Sequence, residues 1–138
     1  MSTKKSFAAI LIGAITFSSA AFATTYKCNV RTNSKYYGGI PSTLVFSVDE
    51  SEPKVMVYDV FIKRAYDRPI EADIVVINPK RYTFKWTVDV PTTEDDRTEI
   101  RTIYRATYLK RTHKVSVRGF PKGYDVDVGG TGTCIPLK

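Results

Sequence analysis

Between Arg81 and Val90 the chain changes polarity at every residue. Tyr82, Phe84, Trp86, Val88 and Val90 share one parity, while Arg81, Thr83, Lys85, Thr87 and Asp89 share the other. A period of two places alternate side chains on opposite faces of an extended backbone, whereas on a helix the same residues would scatter around the axis. The stretch therefore reads as a strand with one dry and one wet face. The pattern recurs along the chain. Leu44, Phe46 and Val48 alternate with Thr43, Val45 and Ser47, and Val115 and Val117 sit between Lys114, Ser116 and Arg118. Ile100, Thr102, Tyr104, Ala106 and Tyr108 alternate with Glu99, Arg101, Ile103, Arg105 and Thr107.

Turn chemistry separates these runs: Gly38-Gly39-Ile40-Pro41, Asp49-Glu50-Ser51-Glu52-Pro53, Asn78-Pro79-Lys80 and Gly119-Phe120-Pro121-Lys122-Gly123. Two segments are less regular. Val55 to Ile62 has apolar residues on both parities, which predicts either a strand covered on both faces or a bulge near Asp59, and Lys63 to Pro69 reads as a loop. Ile70 to Ile77 is nearly continuous in apolar residues and reads as a further strand. No segment shows a sustained helical period. The spacing predicts an all-β, single-domain antiparallel β-barrel, or a strongly curved sandwich, of about eight strands.

The N-terminus constrains the compartment. Lys4 and Lys5 precede an apolar run from Phe7 to Phe17, and Ala21-Phe22-Ala23 supplies small residues where a signal peptidase requires them. The run is shorter than the roughly 20 residues needed to span a bilayer, so residues 1–23 are expected to be a cleaved leader and 24–138 the β-barrel domain. Export places the chain in the periplasm or medium, where a pair of cysteines forms a disulfide by default. The only cysteines are Cys28, in the first strand, and Cys134, in the closing Gly129-Gly130-Thr131-Gly132-Thr133-Cys134 stretch. A metal pair lacks partners, because His113 is the single histidine. Joining first and last strands, the bridge closes the ring and leaves no exposed edge.

These residues carry a resemblance. Tyr26-Lys27-Cys28, Val45-Phe46-Ser47-Val48-Asp49, Phe84-Lys85-Trp86, Tyr104-Arg105-Ala106, the run from Val117 to Asp125 and Gly132-Thr133-Cys134 together resemble a group of small exported bacterial all-β proteins of unassigned function. In layout the chain is also similar to periplasmic inhibitors of C-type lysozyme, which implies an eight-stranded barrel. The Ser-Gly loop motif of those inhibitors has no counterpart here, so the likeness implies their architecture and not their activity.

Charge narrows the partner. The chain carries 21 Lys and Arg against 14 Asp and Glu; losing Lys4 and Lys5 with the leader leaves +5. Were strands 81–90, 98–109 and 114–118 a meander, Lys85, Arg101, Arg105, Lys114 and Arg118 would share one surface, a docking face for carboxylates or phosphates. An ordinary solvated sheet face has the same composition. Tyr36, Tyr37, Tyr66, Phe120 and Tyr124 are expected in loops beside Gly, Pro and Arg, where aromatic rings offer contact area. The inward aromatics Tyr82, Phe84, Trp86, Tyr104 and Tyr108 read as packed core, or as the lining of a pocket for a small apolar ligand.

Catalytic chemistry is poorly supplied. His113 has no nucleophile beside it, Glu94-Asp95-Asp96 is a solvated run, and Gly129-Gly130-Thr131-Gly132 lacks the helix and Lys of a phosphate loop. The expectation is a binding module for an acidic protein or envelope polymer, with no enzyme activity, no cofactor and no metal, and nucleic acid is not an expected partner. The alternative is a carrier of a small apolar ligand in the barrel interior.

Overall fold

A computed structural model describes residues 23–33, 38–92 and 98–138. Residues 1–22 of the expected leader, Tyr36 and Tyr37, and the Glu94-Asp95-Asp96 run lie outside the described residues. Eight strands form a closed antiparallel barrel in sequence order: β1 (Thr24–Thr32), β2 (Thr43–Asp49), β3 (Lys54–Tyr58), β4 (Ile70–Ile77), β5 (Arg81–Pro91), β6 (Glu99–Leu109), β7 (Lys114–Pro121) and β8 (Val128–Leu137). The ring closes by β8 pairing with β1, and Cys28 stands directly across the seam from Cys134. The two are disulfide-bonded, with Cα atoms 3.9 Å apart.

The alternation sorts side chains as the sequence predicts, except that Thr83, on the parity expected to be wet, is buried. Phe46, Phe84, Trp86, Tyr104 and Tyr108 point inward, all almost fully buried. Their rings are in mutual contact: Phe46 with Phe84 at 4.9 Å, Phe84 with Trp86 at 5.7 Å and Trp86 with Tyr104 at 5.5 Å between centroids. Such pairs each add about 0.5–1.5 kcal/mol beyond the area they bury. The outward positions of β5 to β8 are mostly Lys, Arg, Thr and Ser, the reverse of a barrel that faces lipid. Among the described residues no helix is long and apolar enough to cross a membrane.

The segment from Val55 to Ile62 corrects the expectation of one strand or a bulged one. β3 ends at Tyr58, and Asp59 then caps a short helix, α1 (Val60–Tyr66). The Ile62 amide donates to Asp59 Oδ1 at 2.8 Å, which satisfies a donor that the first helical turn leaves unpaired. Asp67 ends the helix in the left-handed conformation, and its amide donates to the Lys63 carbonyl. The apolar residues on both parities thus belong to two elements of different period. α1 lies against one end of the barrel, with Ile62 fully buried and Phe61 stacked on Tyr104 at 6.3 Å. The bulge occurs in β4 instead, where the register shifts between Ile74 and Val76.

β8 approaches β1 closely because its inward positions are bare. A Cβ on Gly130 would lie 2.8 Å from the Arg31 carbonyl oxygen, and one on Gly132 only 1.7 Å from that of Asn29.

Candidate functional site

Sequential antiparallel pairing fixes what the outer face of β5, β6, β7 and β8 displays. Lys85 stands opposite Arg105, and Arg105 opposite Arg118, so three cations form one straight row across three strands. Facing like charges on neighbouring strands destabilise by roughly 0.2–1 kcal/mol a pair. Acids flank the row at its ends: Asp73 lies opposite Lys85, and Asp127 accepts from the Arg118 guanidinium. Arg105, in the middle, has a cation on both sides and forms no ion pair among the described residues.

The other two members of the predicted face are farther apart. Arg101 is four positions from Arg105 along β6, about 13 Å at strand rise, and faces Asp89. Lys114 is four positions from Arg118 on β7, towards the opposite end, and faces Leu109 and Thr133. All five cations are exposed, but the compact group is Lys85, Arg105 and Arg118.

The loop aromatics divide. Phe120 is not in a loop: it is an outward residue of β7, 41 % exposed, because the strand runs on to Pro121. It faces Ile103 on β6, and the Arg118 guanidinium lies over its ring at 5.7 Å. Phe120 therefore joins the cationic face. Tyr124 is exposed in the β7–β8 connection. Tyr66 is the last residue of α1 and no loop residue, since the helix began where a strand was expected.

One row adjoining the cations was not singled out from the sequence. Thr83, Thr107, Ser116 and Thr131 stand side by side on four strands, with Arg31 of β1 next in line. Thr83 and Thr107 hydrogen-bond through their hydroxyls at 3.1 Å. The four hydroxyl residues lie between positions 83 and 131, and only the register aligns them.

A second polar group occupies the barrel end away from α1. Tyr82 and Lys110 both donate to Glu50 Oε1 at 2.7 Å, Lys110 Nζ lies 4.4 Å from the centre of the Tyr82 ring, and Tyr108 shares a 2.6 Å hydrogen bond with His113 Nδ1. The Lys110 and Tyr82 hydrogen bonds hold the Glu50 carboxyl below its ordinary 4.5. Burial pushes the Tyr82 hydroxyl far up, reinforced by Glu50. Burial likewise raises Asp59 above 3.8, against the backbone hydrogen bonds at the α1 cap.

These opposite shifts give opposite pH limbs. Glu50, depressed in the fold, stabilises above pH 4.5 and loses that contribution as pH falls through its folded value. Asp59, raised in the fold, contributes most below 3.8 and loses its contribution as pH climbs through its folded value. Urea midpoints measured from about pH 3 to about pH 8 should show Glu50→Gln flattening the acid limb, by less than about 1 kcal/mol because the Glu50 side chain is half exposed. Asp59→Asn keeps the capping oxygen and should remove the decline above 3.8. Parallel pH curves for wild type and both variants would contradict the assignment.

Among the described residues no three His, Cys, Asp or Glu side chains group so as to hold a metal ion. The outer face can grip anions through guanidinium and ammonium groups. No protein-family model, no curated protein and no solved structure matches this chain.

Proposed function

We propose that the protein is an exported, non-catalytic binding module, and that the outer face of β5, β6 and β7 recognises an acidic protein or an acidic component of the cell envelope. The observation that carries the reading is the Lys85, Arg105, Arg118 row. Three adjacent cations weaken the isolated fold slightly, and an anion laid across them reverses the sign of that contribution. Ile103 and Phe120 add exposed apolar area beside the cations. The aromatic contacts across the interior favour this face over a small apolar ligand held inside, because ring already meets ring from Phe46 to Tyr104.

The test separates function from stability. Arg105→Glu places an acid between Lys85 and Arg118, so the variant should unfold at the same or a slightly higher urea concentration than wild type. The same variant should lose about tenfold or more in affinity for envelope fractions, with a salt dependence weaker than wild type. Undiminished binding by the folded variant would remove the face from consideration. A small apolar molecule retained by the purified protein in native mass spectrometry would favour the carrier instead.

A further inference from the structure

Two depressions open on the outer surface beside the cation row, and both are lined by Ser116. One, of about 490 Å³, lies between Thr107, Leu109, Lys114, Thr131 and Thr133. The other, of about 420 Å³, is bounded by Asn33, Arg118, Asp127 and Gly129. The two share Ser116, and we treat them as one trough along β7 and β8, with Lys114 lining one part and Arg118 the other, about 13 Å apart at strand rise. Arg31 borders it on the β1 side, opposite Thr131. The trough exists because the outward side chains of β8 are small: Gly129, Thr131 and Thr133.

We propose that this trough binds an anionic polysaccharide, a chain of hydroxylated sugar rings bearing carboxylate, phosphate or sulfate groups at intervals. The inference rests on reading the outer face as an anion-binding surface and names the class of anion.

Three observations select it. The first is the lining, where the exposed Ser116, Thr131 and Thr133 stand beside apolar Leu109 and beside Thr107, whose hydroxyl already meets that of Thr83. A hydroxyl both donates and accepts, matching sugar hydroxyls that do the same, whereas ionised carboxylates of an acidic peptide only accept. The second is the placement of charge at the trough's two ends and far side rather than at one point, which suits acid groups repeated along a chain and not a single small anion. Asp127 already holds Arg118, but that contact uses one guanidinium nitrogen and leaves other donors of the fork. The third is topology. An acidic peptide would gain most by adding a strand to a free sheet edge, and this barrel has none. A folded acidic protein would instead want the apolar pair Ile103 and Phe120, which lines neither depression and leaves Leu109 as the one exposed large apolar side chain in the lining.

Titration calorimetry on the folded chain tests this with polygalacturonate, dextran sulfate, neutral dextran and polyglutamate. Ser116→Tyr and Thr131→Tyr each fill the trough from an exposed strand position without changing charge, and Phe120→Ala removes the apolar anchor. At least one anionic glycan should bind, with neutral dextran and polyglutamate about tenfold weaker or more. Both tyrosine variants should lose about tenfold, with unfolding midpoints near wild type. Equal binding of neutral dextran, or full binding by both folded tyrosine variants, overturns the proposal. Preference for polyglutamate, with loss on Phe120→Ala, overturns it in favour of an acidic protein and leaves the cationic face standing. Failure of every polyanion, together with unchanged envelope binding by Arg105→Glu, removes the trough and the face alike.

Discussion

Breaking the Cys28–Cys134 bond is expected to lower the stability of the fold by about 4–5 kcal/mol in the chain-entropy treatment, because the bond closes a loop of sequence separation 106. That is a large share of the 5–15 kcal/mol typical of a domain. The barrel should still form, since β1 and β8 pair at seven positions besides Cys28 and Cys134. Urea unfolding of Cys28→Ala/Cys134→Ala should therefore show a cooperative transition at a lower midpoint. Its slope should be steeper, because an uncrosslinked chain exposes more surface when it unfolds. Both sulfurs are buried, Cys28 at 0 % and Cys134 at 3 % exposure, so reductant should attack the native protein only as fast as the seam opens. A midpoint unmoved by the double substitution would show that the ladder alone closes the ring.

Gly132→Ala should damage the same seam from the other side. The new Cβ would stand 1.7 Å from the Asn29 carbonyl oxygen and 2.9 Å from Val30 Cα, both backbone atoms in the strand that β8 must pair with. Neither can turn aside as a side chain can, so β1 and β8 must part. The expected cost is about 3 kcal/mol, at the upper end for overpacking, read as a fall in the urea midpoint. Gly129→Ala is the control: its Cβ would come nearest the Asn33 side-chain oxygen at 3.0 Å, a flexible end, with the Val117 carbonyl at an ordinary 3.8 Å, and should cost within about 0.5 kcal/mol. Equal behaviour of the two variants would mean that close strand approach does not constrain Gly132.

The period-two pattern made the strands legible because each buries one face and wets the other; Tyr82 to Val90 and Ile100 to Tyr108 could sit in only one way. The helix was hidden by its length. Seven residues are too few to display a 3.6 period, and the apolar Val60, Phe61 and Ile62 continue the composition of β3. Its start did carry a local signal, an Asp directly before an apolar run, with Lys63 and Arg64 in the last turn. The β4 bulge left no trace, since Ile74, Val75 and Val76 are interchangeable in pattern. For the surface, the sequence supplied which residues face out but not their alignment. Thr83, Thr107, Ser116 and Thr131 become neighbours only through the ladder registers of four strands, which turn geometry decides. The same registers set Arg101 and Lys114 apart from the central row and placed Phe120 in the row beside it, opposite Ile103.

The pairing of Thr25 with Leu137 brings the start of β1 and the end of β8 side by side, at the Glu50 and Lys110 end of the barrel. α1 occupies the other end. A tether joined at either of those strand ends would leave the molecule from the same pole. The helical pole would face away from the anchor, and the trough along β7 and β8 would lie on the flank, open from the side.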